Sequence, residues 1–344
     1  MGSNSLTMRN RIINGNMVID QRNAGASVSF ATGTNGYALD RWYIDNATDG
    51  AFTIEQVEDA PAGFYQSLKL TVTTADASIG ATQDSVIGQR IEGLNVNDLG
   101  FGTASASTVT ISFWVKSSLT GTFGGSLMNS AYTRAYPFSF TISSANTWEQ
   151  KSVTIAGDTS GTWLNTNGVG MRLSISMAAG SSYSGTANAW ASSLLLQPTG
   201  STNVIGTSGA TFYVTGVQLE AGTTATPFET RPYGMELALC QRYFQLQSAG
   251  VSGVCSNTTD FIAAISFTCV MRSQPTASCP ALRISDVYTN AWVQSSPSAA
   301  LRTASVGAVS GGTYVFSNFS GLTAGRFSVV ESAGYQPISL SSEL

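Results

Sequence analysis

Between residues 38 and 219 the chain repeats one pattern. Segments of strand length alternate apolar and polar residues with a period of two, and no amphipathic helical pattern interrupts them. The segments are Ala38–Asp45, Phe52–Glu58, Ser67–Thr73, Val86–Ile91, Val109–Lys116, Phe138–Ile142, Trp148–Ile155, Met171–Met177, Ala189–Leu196 and Phe212–Leu219, with Gly, Asn, Asp or Pro at their boundaries. Successive side chains of a strand point to opposite faces, so each segment has one apolar face to bury. A succession of such strands without helices can bury those faces only sheet against sheet. The expected fold is all-β, a β-sandwich of jelly-roll type.

The segment from Val109 illustrates the alternation. Val109, Ile111, Phe113 and Val115 face one way, and Thr110, Ser112 and Trp114 the other. Trp114, on the polar face, is either a ligand platform or a cover for the sheet, and Trp42 in LDRWY is read as a packing residue. Upstream, Asn10–Asn23 sets Ile13, Met17 and Ile19 around an Asn14-Gly15-Asn16 turn and is read as a short entering strand, followed by a loop at Phe30–Gly36.

Gly/Ser/Thr-rich stretches at Leu119–Arg134, Ala178–Asn188 and Pro198–Ala210 are read as long loops, which carry function more often than strands do. Tyr132, Tyr136, Trp163 and Tyr183 lie in or beside such loops. Their rings either stack on the apolar face of a sugar or anchor the loops to the sandwich.

Composition narrows the chemistry. Charged residues are 10% of the chain against about 25% in ordinary soluble proteins, and the 16 basic and 20 acidic residues leave a net charge of −4. No Lys/Arg cluster is present to neutralise a row of phosphates, which argues against a nucleic-acid partner. No run approaches the roughly 20 apolar residues of a membrane span, and MGSNSLTMRNR lacks the apolar core of a signal peptide, so neither membrane insertion nor Sec-type export is indicated.

With 0 histidines the chain has no Ser-His-Asp or Cys-His nucleophile and no His-ligated metal. Cys240, Cys255, Cys269 and Cys279 match no zinc spacing and are read as free thiols, buried or half-buried, of a chain made in a reducing cytoplasm. A two-carboxylate glycosidase is the enzyme class left open, but Glu55 and Glu58 cannot share a face of one strand. The chain is expected not to be an enzyme and to carry no cofactor.

The stretch from Phe212 to Phe244 combines a strand, a turn-rich loop and a helix. Phe212, Val214, Gly216 and Gln218 alternate with Tyr213, Thr215, Val217 and Leu219, and Phe228 is expected to plug the bottom of the core. Thr230 is a candidate N-cap, with Pro232 in the first turn, where its missing N–H costs nothing. A helix over Tyr233–Gln247 would align Met235, Leu239, Tyr243 and Leu246 on one face and Leu237, Cys240 and Phe244 on another. Such a helix has two apolar surfaces to bury, one against its own sandwich and one against either the C-terminal region or a second subunit. Beyond a linker at Ser248–Gly253, strands are expected at Phe261–Val270, Pro275–Leu282, Ala291–Val293, Val306–Val309, Thr313–Phe319 and Gly325–Ser332.

NRIINGNMVIDQR, YALDRWY and FWVKS, followed by VTGVQLEAG and ATPFETRPYGMELALCQRYF, together resemble a group of bacteriophage virion proteins of tail-fibre or appendage type, over about residues 10–247. The resemblance implies a carbohydrate-binding-module-like jelly roll, one helix and a smaller C-terminal β-domain in a virion-exposed protein that assembles as a homotrimer. The organisation it implies is an N-terminal arm and first strand over 1–29, the sandwich over 30–228, a connecting helix over 229–247 and the small β-domain over 248–344. Met235, Leu237, Leu239, Tyr243 and Phe244 then become oligomer or interdomain residues. Jelly rolls of this kind often hold a structural calcium near their first and last strands, and Asn14, Asn16, Asp20 and Glu220 supply oxygens in those places, unless they are hydrogen-bonded turn residues.

Two functions follow from the resemblance. One is a tail-fibre or receptor-binding appendage that contacts host-surface polysaccharide, and the other is a capsid or collar decoration docked on other virion proteins with a purely structural role. A glycan-degrading appendage is a third and weaker reading. The few residues ahead of the expected sandwich favour a small, directly docked protein over a long fibre. The expected oligomer is checked by sedimentation or mass photometry: three copies at micromolar concentration accord with it, and a monomer contradicts it.

Overall fold

The computed structural model of the chain describes residues 8–344 other than 249, 280–281, 287–290, 295–300, 304–308 and 333–336. It divides into two compact units, Met1–Glu236 with Leu344, and Leu237–Glu343. The division falls inside α1 (Tyr233–Gln241).

The first unit is a jelly-roll sandwich of two six-stranded antiparallel sheets. In chain order its strands are β1 (Val28–Phe30), β2 (Thr34–Leu39), β3 (Trp42–Asn46), β4 (Ala51–Val57), β5 (Ser67–Thr74), β6 (Asp84–Glu92), β7 (Val109–Ser117), β8 (Gly121–Asn129), β9 (Ala135–Ile142), β10 (Glu149–Ile155) and β11 (Val169–Ala179). A short parallel pair, β12 (Ser184–Gly185) with β13 (Gln197–Pro198), and the long β14 (Thr211–Ala221) complete it. The front sheet runs β1-β4-β5-β14-β7-β10 and the back sheet β2-β3-β6-β11-β8-β9. One continuous core fills the space between them, with Phe52, Leu70 and Ile111 from the front and Ile44, Ile87 and Ile175 from the back. Phe113 of β7 meets Phe140 of β9 edge-on at 5.0 Å, and Phe212 of β14 meets Phe123 of β8 at 5.9 Å, so aromatic contacts join the sheets directly.

Several expectations are corrected. Ala38–Asp45 is not one strand but a hairpin, β2 to β3, turning at Asp40-Arg41 with Arg41 in the left-handed region (φ 70°). β2 also begins inside the expected Phe30–Gly36 loop. Leu119–Arg134 is not a loop, because β8 lies within it, in the back sheet between β11 and β9. Its glycines mark close approach: a Cβ on Gly125 would sit 2.4 Å from the Ser174 carbonyl oxygen, and one on Gly124 would sit 2.5 Å from Pro198. Ala189–Leu196 forms no strand beyond one bridge, Ala191 to Ala135, and instead lies over the back sheet.

Strict alternation of β14 also fails. A bulge between Thr215 and Gln218, with Gly216 at φ 62°, shifts the register, so that Phe212 and Val214 before it and Val217 and Leu219 after it all enter the core. A Cβ on Gly216 would lie 2.6 Å from the Phe64 ring. Phe228 packs edge-on against that ring at 5.1 Å and is only half-buried, so it does not plug the core.

Residues 10–23 form no strand, since side chains take over their backbone pairing. Asn14 (φ 57°) accepts from Ile19 N–H and donates to the Ile19 and Asp40 carbonyls. The Asn10 amide accepts from Ile12 and Leu219 N–H and donates to the Val217 carbonyl. A buried guanidinium closes the arrangement. Arg231 donates to the Ile12 and Asn10 carbonyls and pairs with Glu236 at 3.3 Å and Glu229 at 3.6 Å. Glu229 in turn accepts from Arg9 and Asn10 N–H, and Glu236 from Asn14 N–H. The first strand is therefore β1, across whose middle the expected boundary at residue 29 falls.

The second unit carries β15 (Phe244–Gln247), β16 (Val251–Cys255), β17 (Phe261–Ser266), β18 (Thr276–Ser278), β19 (Leu282–Asp286), β20 (Ala291–Gln294), β21 (Leu301–Thr303), β22 (Gly311–Phe316), β23 (Phe327–Ser332) and β24 (Ile338–Ser341). They form a seven-stranded sheet, β20-β19-β23-β16-β17-β22-β21, and a three-stranded one, β15-β24-β18, around Phe261, Ile284, Tyr314, Phe316, Val330 and Leu340. The expected linker thus holds most of β16, and the strand expected at Val306–Val309 lies outside the described residues except for Val309. The helix is shorter than its apolar periodicity implied. It ends at Gln241, and Phe244 begins a strand opposite Ser341, because sheet pairing at FQLQ replaces helical bonding. Cys240 and Cys255 are buried and Cys269 and Cys279 half-buried, all four as free thiols.

Arg231→Met leaves the buried Glu236 and the half-buried Glu229 without their cation and is expected to cost about 3–5 kcal/mol in urea unfolding. Asp98→Asn, which breaks the exposed pair with Arg11, is the control, at about 0–1 kcal/mol.

Candidate functional site

A cleft with a cavity volume of about 130 Å³ opens on the outer face of the back sheet. Its floor follows from register. Tyr43 of β3 lies opposite Gly88 of β6 and Gly88 opposite Ser174 of β11, and these line the cleft, while Ser126 of β8, opposite Ser174, is buried beyond them. Because alternate residues share a face, Arg90 and Arg172 lie on the same face, directly opposite each other, next to this row. A floor of glycine and serine leaves room above the sheet, and larger side chains form the walls. Tyr43 stands on one side, while Tyr132, Tyr183, Leu194 and Leu196 stand on the other.

The two arginines lie on tyrosine rings, Arg90 3.7 Å from the centroid of Tyr43 and Arg172 4.5 Å from that of Tyr132. Tyr37 meets Tyr43 edge-on at 5.4 Å and extends the aromatic side. Burial is the main cause that holds the Arg172 guanidinium below its ordinary pKa, and the Arg90 charge adds to it. Asp45 and Asp84 line the opposite end. Burial raises the Asp45 carboxyl, with Arg90 opposing, and burial with the neighbouring Asp45 charge pushes Asp84 up to about 6. Burial, followed by the Asp45 charge, also raises the Tyr43 hydroxyl. The cleft therefore has a cationic aromatic end and an acidic end across a small-residue floor.

Of the four expected glycan-binding aromatics, the structure brings Tyr132 and Tyr183 to this cleft. Tyr136 is buried, with its ring edge-on to Trp190 at 5.2 Å. Trp163 packs on Phe101 at 4.9 Å and on Trp190 at 5.7 Å, and borders a separate hollow of about 390 Å³ between the 96–103 and 161–165 loops. Trp42 is buried in the core and donates to the Asn14 carbonyl at 2.9 Å, whereas Trp114 is half-buried beside Gly216. Tyr243 and Phe244 are buried, and Met235, Leu237 and Leu239 are half-buried.

The expected calcium ligands do not converge. Glu220 accepts from Thr226 N–H and Oγ1 and from Gln218, and pairs with Arg9 at 3.2 Å. Asp20 caps the backbone N–H groups of Asn23 and Gly25. Asn14 uses its amide on Ile19 and Asp40, and the buried Asn16 Oδ1 meets no donor. The oxygens of Asn14 and Asp20 serve turns and those of Glu220 a turn and an ion pair, and among the described residues no three His, Cys, Asp or Glu side chains gather for a metal.

Tyr43, Asp45, Asp84, Arg90 and Arg172 escaped the sequence reading because they lie in strands. For Asp45, Arg90 and Arg172 the signal was charge within a strand in a chain with 10% charged residues; Tyr43, and Asp84 at the start of β6, carried none.

No family model matches the chain, and no curated protein does. Among solved structures, a putative sugar binding protein from Bacteroides thetaiotaomicron is 14% identical, with a TM-score of 0.35 over 62% of this chain and 100% of that one. TmCBM61 in complex with β-1,4-galactotriose is 8% identical, with a TM-score of 0.31 over 62% and 99%. The enzymatically active domain of bacteriophage CBA120 tailspike protein 4 is 10% identical, with a TM-score of 0.32 over 62% of this chain and 21% of that one. The neighbours are thus carbohydrate-binding modules and a phage tailspike domain, and their low identity and TM-scores leave the sandwich to be defined by its own sheet order.

The raised carboxyl of Asp84 has a consequence for stability. The folded state holds that proton more tightly than the unfolded chain, so its contribution is complete below the ordinary carboxylate pKa and is lost as pH rises through about 6. Asp84→Asn is expected to stabilise the protein by about 1–3 kcal/mol at pH 7.5, and to leave thermal unfolding at pH 4 unchanged.

Proposed function

We propose that this chain is a phage virion protein, a compact trimeric appendage of tail-fibre or receptor-binding type, and that it contacts host-surface glycan through the cleft on the back sheet. The observation that carries the binding part is the cleft itself. A glycine and serine floor gives a pyranose ring access to the sheet, tyrosine rings on both walls offer apolar faces, and arginines and aspartates supply hydrogen-bond partners for hydroxyls. The virion role and the trimer are supported by the resemblance of the segments at residues 10–22, 37–43, 113–117, 214–222 and 225–244 to phage appendage proteins. The neighbours named for sugar binding accord with a polysaccharide partner.

Binding without turnover is the reading. The test is adsorption of the purified protein to host cells, with block of infection and release of reducing ends followed in the same samples. Tyr43→Ala and Tyr132→Ala are each expected to weaken adsorption about tenfold or more, as loss of an aromatic anchor does, with no reducing ends released. Neither adsorption nor block of infection by the unaltered protein would leave the decoration role, and reducing ends would make it a glycan-degrading appendage.

A further inference from the structure

The cleft places two guanidinium groups side by side. Arg90 and Arg172 are cross-strand partners on adjacent strands, and like charges directly opposite destabilise a sheet. Their Nε atoms are both buried without an acceptor. Arg90 has a partial neighbour set, since one Nη donates to the Leu344 carbonyl and the charge of Asp45 is felt there. Arg172 has less. Its contact is the ring of Tyr132, and among the described residues it forms no hydrogen bond or ion pair. Stacking on a ring occupies the face of a guanidinium and leaves the N–H edge for a planar bidentate acceptor.

We infer that the glycan held in the cleft is acidic, with the carboxylate of a uronic-acid-type sugar docked on the N–H edge of Arg172 beside Arg90. This rests on the glycan-binding reading above. An anion there would offset the repulsion between the two arginines, and it would replace the water that burial takes from Arg172. The other end selects against a dense polyanion. Asp45 and Asp84 would repel sulfates spaced along the cleft but accept hydrogen bonds from sugar hydroxyls. The ligand chemistry is therefore one carboxylate per sugar or per few sugars, with neutral hydroxyls between.

The test uses the full chain and a panel of polygalacturonate, alginate, hyaluronan and a bacterial polyuronate, each with its carboxyl-reduced neutral form, plus dextran sulfate. At least one acidic polymer is expected to bind, with carboxyl reduction weakening it tenfold or more and dextran sulfate binding more weakly. Arg172→Gln is expected to bring the acidic polymer down to the affinity of its reduced form and leave the reduced form unchanged, with Arg172→Lys in between. The reduced-polymer comparison needs no variant, so it stands even if a substitution unfolds the protein. Reduced forms binding as tightly as acidic ones, or Arg172→Gln binding like the parent, would overturn the acidic assignment and keep glycan binding. Dextran sulfate binding tightest would overturn it in favour of charge alone. No binding to any member, acidic or neutral, would overturn it together with the glycan reading.

Discussion

The Arg231 guanidinium is the interaction on which the sandwich closes. It is buried, so its charge is tolerable only because Glu229, Glu236 and the carbonyls of Asn10 and Ile12 surround it. Those partners come from opposite ends of the sandwich sequence. The same carboxylates receive the backbone N–H groups of Arg9, Asn10 and Asn14, so the irregular segment at the start of the chain is held by side chains where a strand would have used a neighbour. Gly15 completes the contact: its backbone approaches β14 so closely that an added Cβ would lie 2.2 Å from the Val217 carbonyl oxygen.

The consequence passes through β14 to the core. That strand lies between β5 and β7, and its bulge at Gly216 turns both of its halves inward. Phe212 then reaches Phe123 on the back sheet, and the outer face of that sheet is the floor of the cleft. Anchoring, core and cleft occupy successive layers. The arginines of the cleft differ from Arg231 in one physical respect: Arg231 is matched by carboxylates, whereas Arg172 is matched by a ring. A matched charge holds a fold together, and a charge with an open edge is available to a ligand.

Much of the architecture was legible. Period-two alternation located β4, β5, β6, β7, β10 and β11 closely, because each buries one face against the core. It failed where a segment departs from that condition. β8 was hidden because glycine and serine were read as turn formers when they permit close packing, and Ala189–Leu196 alternates yet serves as a wall over the back sheet. The helix was extended too far because Tyr243 and Phe244 continue its apolar spacing while their segment turns into sheet pairing. For the site, Tyr132 and Tyr183 were legible as loop aromatics, but Tyr136 and Trp163 share that description and pack elsewhere.

By itself the sequence determined the class of fold and the absence of histidine chemistry, since alternation, composition and residue identity are local properties. Only the tertiary structure decided which charges are neutralised and which are left with an open edge. Strand register placed Arg90 opposite Arg172, set Gly88, Ser174 and Ser126 in one row, and brought Asp45 and Asp84 to the same end of it. Register depends on pairings between residues far apart in the chain, and a shift of one residue would send every one of these side chains to the other face.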